Sequence, residues 1–182
     1  PTEPAMRNEL ASVISKIKSC KECEVSVLKV FVEKEVDAYC LFVERSKEKL
    51  AKFGDRLIKK NATVLVHCHS SSVMSALKHS FDSGNRKMKV FCTESRPHFQ
   101  GRLSCVELAD YGIDTTMVVD DSALFFLKKG VDVIFVGSDA ITSRGKLVNK
   151  IGTYTLACAA KEASVPFYSC TMLHKFDPLT LN

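Results

Sequence analysis

From residue 62 onward, short runs rich in β-branched residues alternate with stretches of helical periodicity, and no other feature constrains the fold as tightly. The runs lie near residues 63–67, 89–93, 115–119, 132–137 and 166–170, and the helical stretches near 71–83, 103–111, 122–128 and 149–162. Strands joined by helical crossovers run parallel, and a parallel sheet is stable only with helices covering each face. The expected class is therefore α/β, a Rossmann-like parallel sheet with helices on both faces. Ahead of it, Met6, Leu10, Val13, Ile14 and Ile17 recur at helical intervals, and Val27, Phe31, Val36, Tyr39, Phe42, Val43, Leu50 and Phe53 carry the pattern to about Lys60. The chain thus reads as a helical segment over residues 1–61 and a Rossmann-like domain with the ligand site over residues 62–182.

At 182 residues and 46% hydrophobic content, the chain can bury a proper core. No apolar run nears the roughly 20 residues that span a bilayer, and no charged-then-apolar leader opens the sequence, so the expected setting is cytoplasmic. Eight cysteines without framework spacing are expected to stay reduced. Cys20 and Cys23 form a lone pair with no second pair or histidine nearby, so neither zinc nor redox work is expected, nor any cofactor. A net charge of +5 favours anionic ligands. The lysines of the first 60 residues nonetheless alternate with glutamates, as on a solvated helix, and direct nucleic-acid binding is not expected.

In such a sheet the ends of strands gather at one edge, so chemistry is sought in the segment after each. Cys68 follows the first run, and Ser70-Ser71-Ser72 open a helix whose free amides attract an anion and lower the pKa of a nearby thiol. The plainer alternative is a small buried residue beside a helix cap. After the second run, the Arg96 fork, the Gln100 amide and an unhindered Gly101 N–H suit a phosphate, although Pro97 and Gly101 equally suit a surface turn. Asp120-Asp121-Ser122 reads as an N-cap plus one further carboxylate. After the fourth run comes Asp139, which among apolar residues would stay protonated and serve as an acid. Asn149 and Lys150 are expected at a helix start, gripping a second anion. His67 and His69 flank Cys68 and, in an extended chain, share the face opposite the thiol.

As an ordered set, Val66-His67-Cys68-His69-Ser70, Thr93-Glu94-Ser95-Arg96-Pro97 with Gln100-Gly101, Gly137-Ser138-Asp139-Ala140-Ile141 and Asn149-Lys150-Ile151-Gly152-Thr153 carry a resemblance. Across residues 63–178 the chain resembles a superfamily that joins the alpha, beta and delta subunits of translation initiation factor 2B to methylthioribose-1-phosphate isomerase and archaeal ribose-1,5-bisphosphate isomerase. It is most similar to the last. The resemblance implies aldose-ketose isomerisation of ribose 1,5-bisphosphate to ribulose 1,5-bisphosphate, with Cys68 and Asp139 catalytic. Ser70, Arg96, Gln100, Gly101, Asn149 and Lys150 would hold phosphates and hydroxyls. It further implies a homo-oligomer and leaves room for a nucleotide activator. The competing implication is a non-catalytic regulatory subunit of a guanine-nucleotide exchange complex, with protein partners, or a phosphate-ligand sensor. Two departures stand out. Ser71 occupies a position where the isomerases often carry lysine, and the helical region before residue 62 is shorter than the family's, as in a fragment or truncated relative.

Overall fold

The computed structural model describes residues 4–20 and 24–180. Two helices, α1 (Pro4–Ser19) and α2 (Val25–Leu57), carry the amino-terminal helical pattern. There follow β1 (Thr63–His67), α3 (Ser71–Asp82), β2 (Lys89–Thr93), α4 (Gln100–Asp110), β3 (Asp114–Val118), α5 (Ala123–Lys128) and β4 (Val133–Val136). The chain closes with β5 (Ala140–Thr142), β6 (Leu147–Val148), α6 (Thr153–Ala163), β7 (Phe167–Ser169) and β8 (Phe176–Asp177). Single 3-10 turns at Asp120–Ser122 and Leu173–Lys175 precede α5 and β8.

The main sheet has the order β3-β2-β1-β4-β7, with every pairing parallel. Its direction of build reverses between β1 and β4, which makes the crevice beyond their carboxyl ends the natural ligand site. The central strands β1 and β4 are buried on both faces, as their β-branched runs require, while the edge strand β3 is largely exposed. Val64, Val66, Val133 and Phe135 join Val73, Leu77 and Leu108 in one core, while Leu65, Ile134 and Val136 join Leu127, Leu156 and Ala160 in the other. This alternation is the period of two expected of a strand, here apolar on each side. Fully burying side chains such as Phe135, Leu65 and Leu77 contributes about 1.5–3 kcal/mol apiece.

The five strands and four crossover helices expected from the sequence are present, with shifted starts: α4 opens at Gln100 and α6 only at Thr153. A second, three-stranded sheet of order β6-β5-β8 has no counterpart in the sequence reading. In it β5 pairs antiparallel with β6 and parallel with β8, directly after the end of β4. No helix among the described residues is long and apolar enough to cross a membrane.

Candidate functional site

Cys68 and Asp139 emerge at the carboxyl ends of the neighbouring strands β1 and β4, and both line one cleft of about 650 Å³. Ser70, Gln100, Asn149 and Lys150 line it as well, along with Ser138 and Lys175. The small sheet gathers the later residues. Its β5–β6 hairpin folds the chain back so that the Asp139 N–H donates to Val148 O at 2.9 Å, which sets Asn149 and Lys150 beside the aspartate. They sit in the turn before α6 rather than at its first residue, correcting the expected helix start. The Asn149 amide donates to Thr153 Oγ1 at 3.0 Å and is thereby oriented.

The thiol of Cys68 lies 3.6 Å from Gln100 Oε1, within reach of an S–H···O bond. Burial pushes its pKa up, opposed by the His69 backbone N–H and the Lys150 charge and reinforced by Asp139. The lowered pKa expected from the helix start is therefore overturned, because desolvation of the thiolate outweighs the local donors. Cys68 has φ 68°, a left-handed conformation uncommon for a non-glycine residue. That turn also corrects the reading of the flanking histidines, which an extended chain would place together. His67 is buried between Thr93 Oγ1 at 2.7 Å and Ile151 O at 2.8 Å, whereas His69 reaches Ser104 in α4 at 3.0 Å.

The strained turn is held from behind by residues that sequence reasoning missed. Cys68 N–H donates to Ser95 Oγ at 2.7 Å, and Cys68 O accepts from the Ser104 hydroxyl at 3.0 Å. Ser95 and Arg96 in turn donate their backbone N–H groups to Asp120 at 2.8 and 2.7 Å. Asp120 does not cap its own turn, so the expected N-cap is corrected: its carboxylate clamps the neighbouring loop. A short-range motif cannot disclose this, since the partners lie on different crossovers.

Two residues from the sequence reading stand outside the cleft lining. Arg96 is exposed, with its guanidinium 4.6 Å from the Phe99 ring centroid, and Arg102 stacks at 4.0 Å from the same ring. Gly101 is buried and its N–H donates to Glu94 O at 3.3 Å, so the free amide expected there is engaged within the loop. Among the described residues seven cysteines are free, and burial pushes the Cys170 thiol up to about 12. The Cys20–Cys23 expectation falls partly outside the described residues, because Cys23 is not among them. No group of three or more His, Cys, Asp or Glu placed to hold a metal occurs among the described residues.

Gly137 lets the two halves of the cleft approach, since a Cβ there would lie 2.7 Å from Ser70 Cβ and 2.8 Å from Ser70 Oγ. Gly137→Ala is expected to destabilise the fold by about 1–3 kcal/mol in chemical denaturation, through overpacking. Adding Ser70→Gly should restore most of that loss, a non-additivity that shows the two positions compete for one space. Strictly additive losses would refute the contact.

Comparison with known proteins brings a family to this geometry. The model of the initiation factor 2 subunit family matches residues 1–182. The ribose 1,5-bisphosphate isomerase of Methanocaldococcus jannaschii is 46% identical over 150 residues, which cover 82% of this chain and 48% of that protein. The Pyrococcus furiosus protein of the same name is 32% identical over 183 residues, 100% of this chain and 56% of its own. The crystal structure of Pyrococcus horikoshii OT3 translation initiation factor eIF-2B superposes with a TM-score of 0.81 at 28% identity, covering 97% of this chain and 60% of that one. The chain spans about half the length of the curated relatives it matches.

Proposed function

The chain belongs to the initiation factor 2 subunit family, and from that premise we propose that it carries the active cleft of a sugar-phosphate aldose-ketose isomerase converting ribose 1,5-bisphosphate to ribulose 1,5-bisphosphate. The observation that carries this reading is the meeting of Cys68 and Asp139 in one cleft, beside Gln100, Asn149 and Lys150. Similarity to isomerases of that name supports the choice of substrate.

In this proposal Asp139 gives its proton to the ring oxygen as the bond from that oxygen to C1 breaks. Cys68, as thiolate, then takes the hydrogen of C2 as a proton and returns it to C1. The C2 hydroxyl becomes the ketone by losing its proton to Asp139, so both groups finish as they began. Gln100 orients the thiol, and Asn149 and Lys150 hold a phosphate. Ser70 lies at the amino end of α3, where exposed amides favour an anion. Arg96 and Gly101 act, on this view, by shaping the loop that presents Gln100. Residues 1–61 serve as a helical support and residues 62–182 as the ligand-bearing domain. The assembly proposed is a homo-oligomer working in the cytoplasm, where phosphorylated pentoses are retained by their charge.

A regulatory subunit is the second reading, favoured by the likeness to the Pyrococcus horikoshii initiation factor structure. One assay separates the two. The full chain is incubated with ribose 1,5-bisphosphate, and separately with 5-methylthioribose 1-phosphate, with and without nucleotides, and the product is followed by phosphorus NMR. Formation of ribulose 1,5-bisphosphate supports the isomerase. Binding without turnover of either sugar phosphate leaves the regulator.

A further inference from the structure

His67 stands next to Cys68 in sequence but takes no part in lining the cleft. It is 4% exposed and borders a neighbouring cavity of about 430 Å³ beside α5 and α6. Three segments meet at its ring. Nδ1 lies 2.7 Å from Thr93 Oγ1 at the end of β2, and Nε2 lies 2.8 Å from Ile151 O, in the turn that carries Asn149 and Lys150. A carbonyl oxygen can only accept, so Nε2 must carry the ring hydrogen, and in the neutral ring Nδ1 is left to accept from the Thr93 hydroxyl. Ser95 Oγ and Asp120 Oδ1 stand farther from Nδ1, at 3.5 and 4.0 Å. The tautomer is thereby dictated by its partners.

The turn makes its own bonds forward, into α6, where Thr153 donates to Lys150 O through its N–H at 3.1 Å and its hydroxyl at 2.6 Å. The Ile151 side chain is 74% exposed, so apolar packing does not seat it. The His67 bond ties the turn to β1, and Gly152 is fitted to the ring, since a Cβ there would lie 3.0 Å from both Cε1 and Nε2. A single 2.8 Å bond therefore runs from the residue before the thiol to the residue after the Lys150 ammonium, whose charge acts on that thiol.

We infer that His67 is a positioning residue: by donating from Nε2 to Ile151 O, its neutral ring sets the Lys150 ammonium relative to the Cys68 sulfur. The ring touches no substrate and acts through the turn. In the isomerase reading, on which this consequence rests, it keeps beside the sulfur the cation that favours the thiolate needed for proton transfer.

The test is the rate at which iodoacetamide alkylates Cys68 in the full chain across a range of pH. The Cys68 peptide is followed by mass spectrometry, because other free cysteines are present. Thiolate is the reacting form, so the rate reports the charges around the sulfur. Those in the cleft are His69 in the same turn, Asp139 after β4, Lys150, and Lys175 before β8. His67→Phe, similar in size but without a ring nitrogen, is expected to slow alkylation at neutral pH by about three- to tenfold and to move the pH profile upward, because the ammonium is no longer held near the sulfur. His67→Gln keeps a side-chain N–H near the place of Nε2 and should stay within about twofold of the unaltered chain. A role in packing alone would reverse that order. In a chain already carrying Lys150→Met, His67→Phe should add less than about twofold, since both changes remove one interaction. The inference is overturned if His67→Phe alkylates as fast as the unaltered chain or faster, if the two His67 variants slow equally, or if the losses from His67→Phe and Lys150→Met add. Nitrogen-15 NMR of the histidine-labelled chain, with His67 identified by its disappearance in His67→Gln, should find the ring hydrogen on Nε2. A hydrogen on Nδ1 overturns the inference whether or not the phenylalanine variant folds. If alkylation follows the expected pattern while ribose 1,5-bisphosphate is not turned over, the isomerase reading falls and the positioning role stands.

Discussion

Cys68→Ser and Asp139→Asn are each expected to lower kcat for ribose 1,5-bisphosphate by about a hundred- to ten-thousandfold while the dissociation constant stays within about threefold. A serine oxygen is far too weak an acid to serve as the proton carrier, and an asparagine has no carboxyl proton to give. Neither change removes a group proposed to hold phosphate, since those are Asn149, Lys150 and the start of α3, which line the same cleft or open on it. The separation of kcat from binding is therefore the diagnostic result. Burial raises the Cys68 pKa, so less thiolate exists at neutral pH and kcat should climb as pH rises toward the elevated pKa. Cys68→Ser should flatten that limb. If both variants keep kcat within tenfold of the unaltered chain, proton transfer has been assigned to the wrong residues.

The parts of this arrangement that were legible in the sequence share a physical cause. Strands β1 and β4 are buried on both faces, so Thr63–His67 and Val133–Val136 had to be continuous apolar runs, and the residues just beyond them could be located without coordinates. Cys68 and Asp139 were found for that reason. Lys175, which also lines the cleft, was hidden because strands of two or three residues show no periodicity, and β5, β6 and β8 leave only the turn at Gly145 as a trace. The roles expected of Arg96 and Gly101 failed differently. Both were expected to meet an anion, but the Arg96 guanidinium stacks on Phe99 and the Gly101 N–H donates to Glu94 O, loop contacts that composition does not disclose. The thiol was misjudged because a helix start is local while burial is a property of the whole fold.

Gly101→Ala is expected to cost more than about 4 kcal/mol, among the largest losses a single methyl group can cause. A Cβ at this position would sit 1.7 Å from Thr93 O and 2.9 Å from Thr93 C, which are backbone atoms at the end of β2 and cannot swing away as a side-chain tip does. Relief requires α4 to retreat from the sheet. Retreat would draw Gln100 from the Cys68 thiol and Ser104 from Cys68 O, and movement of Thr93 instead would disturb the hydroxyl that holds His67. Chemical denaturation should show a midpoint far below that of the unaltered chain, and thermal unfolding a fall of about 10 °C or more. Gly145→Ala is the informative control. Unlike the helical Gly101 it has a positive φ, 75°, but it meets nothing within 4 Å, so it should cost only about 1–2 kcal/mol of left-handed strain. Equal losses in the two variants would mean that the close approach at Gly101 costs no more than left-handed strain at an open site, and the link from the α4 contact to the posture of Cys68 would then fall.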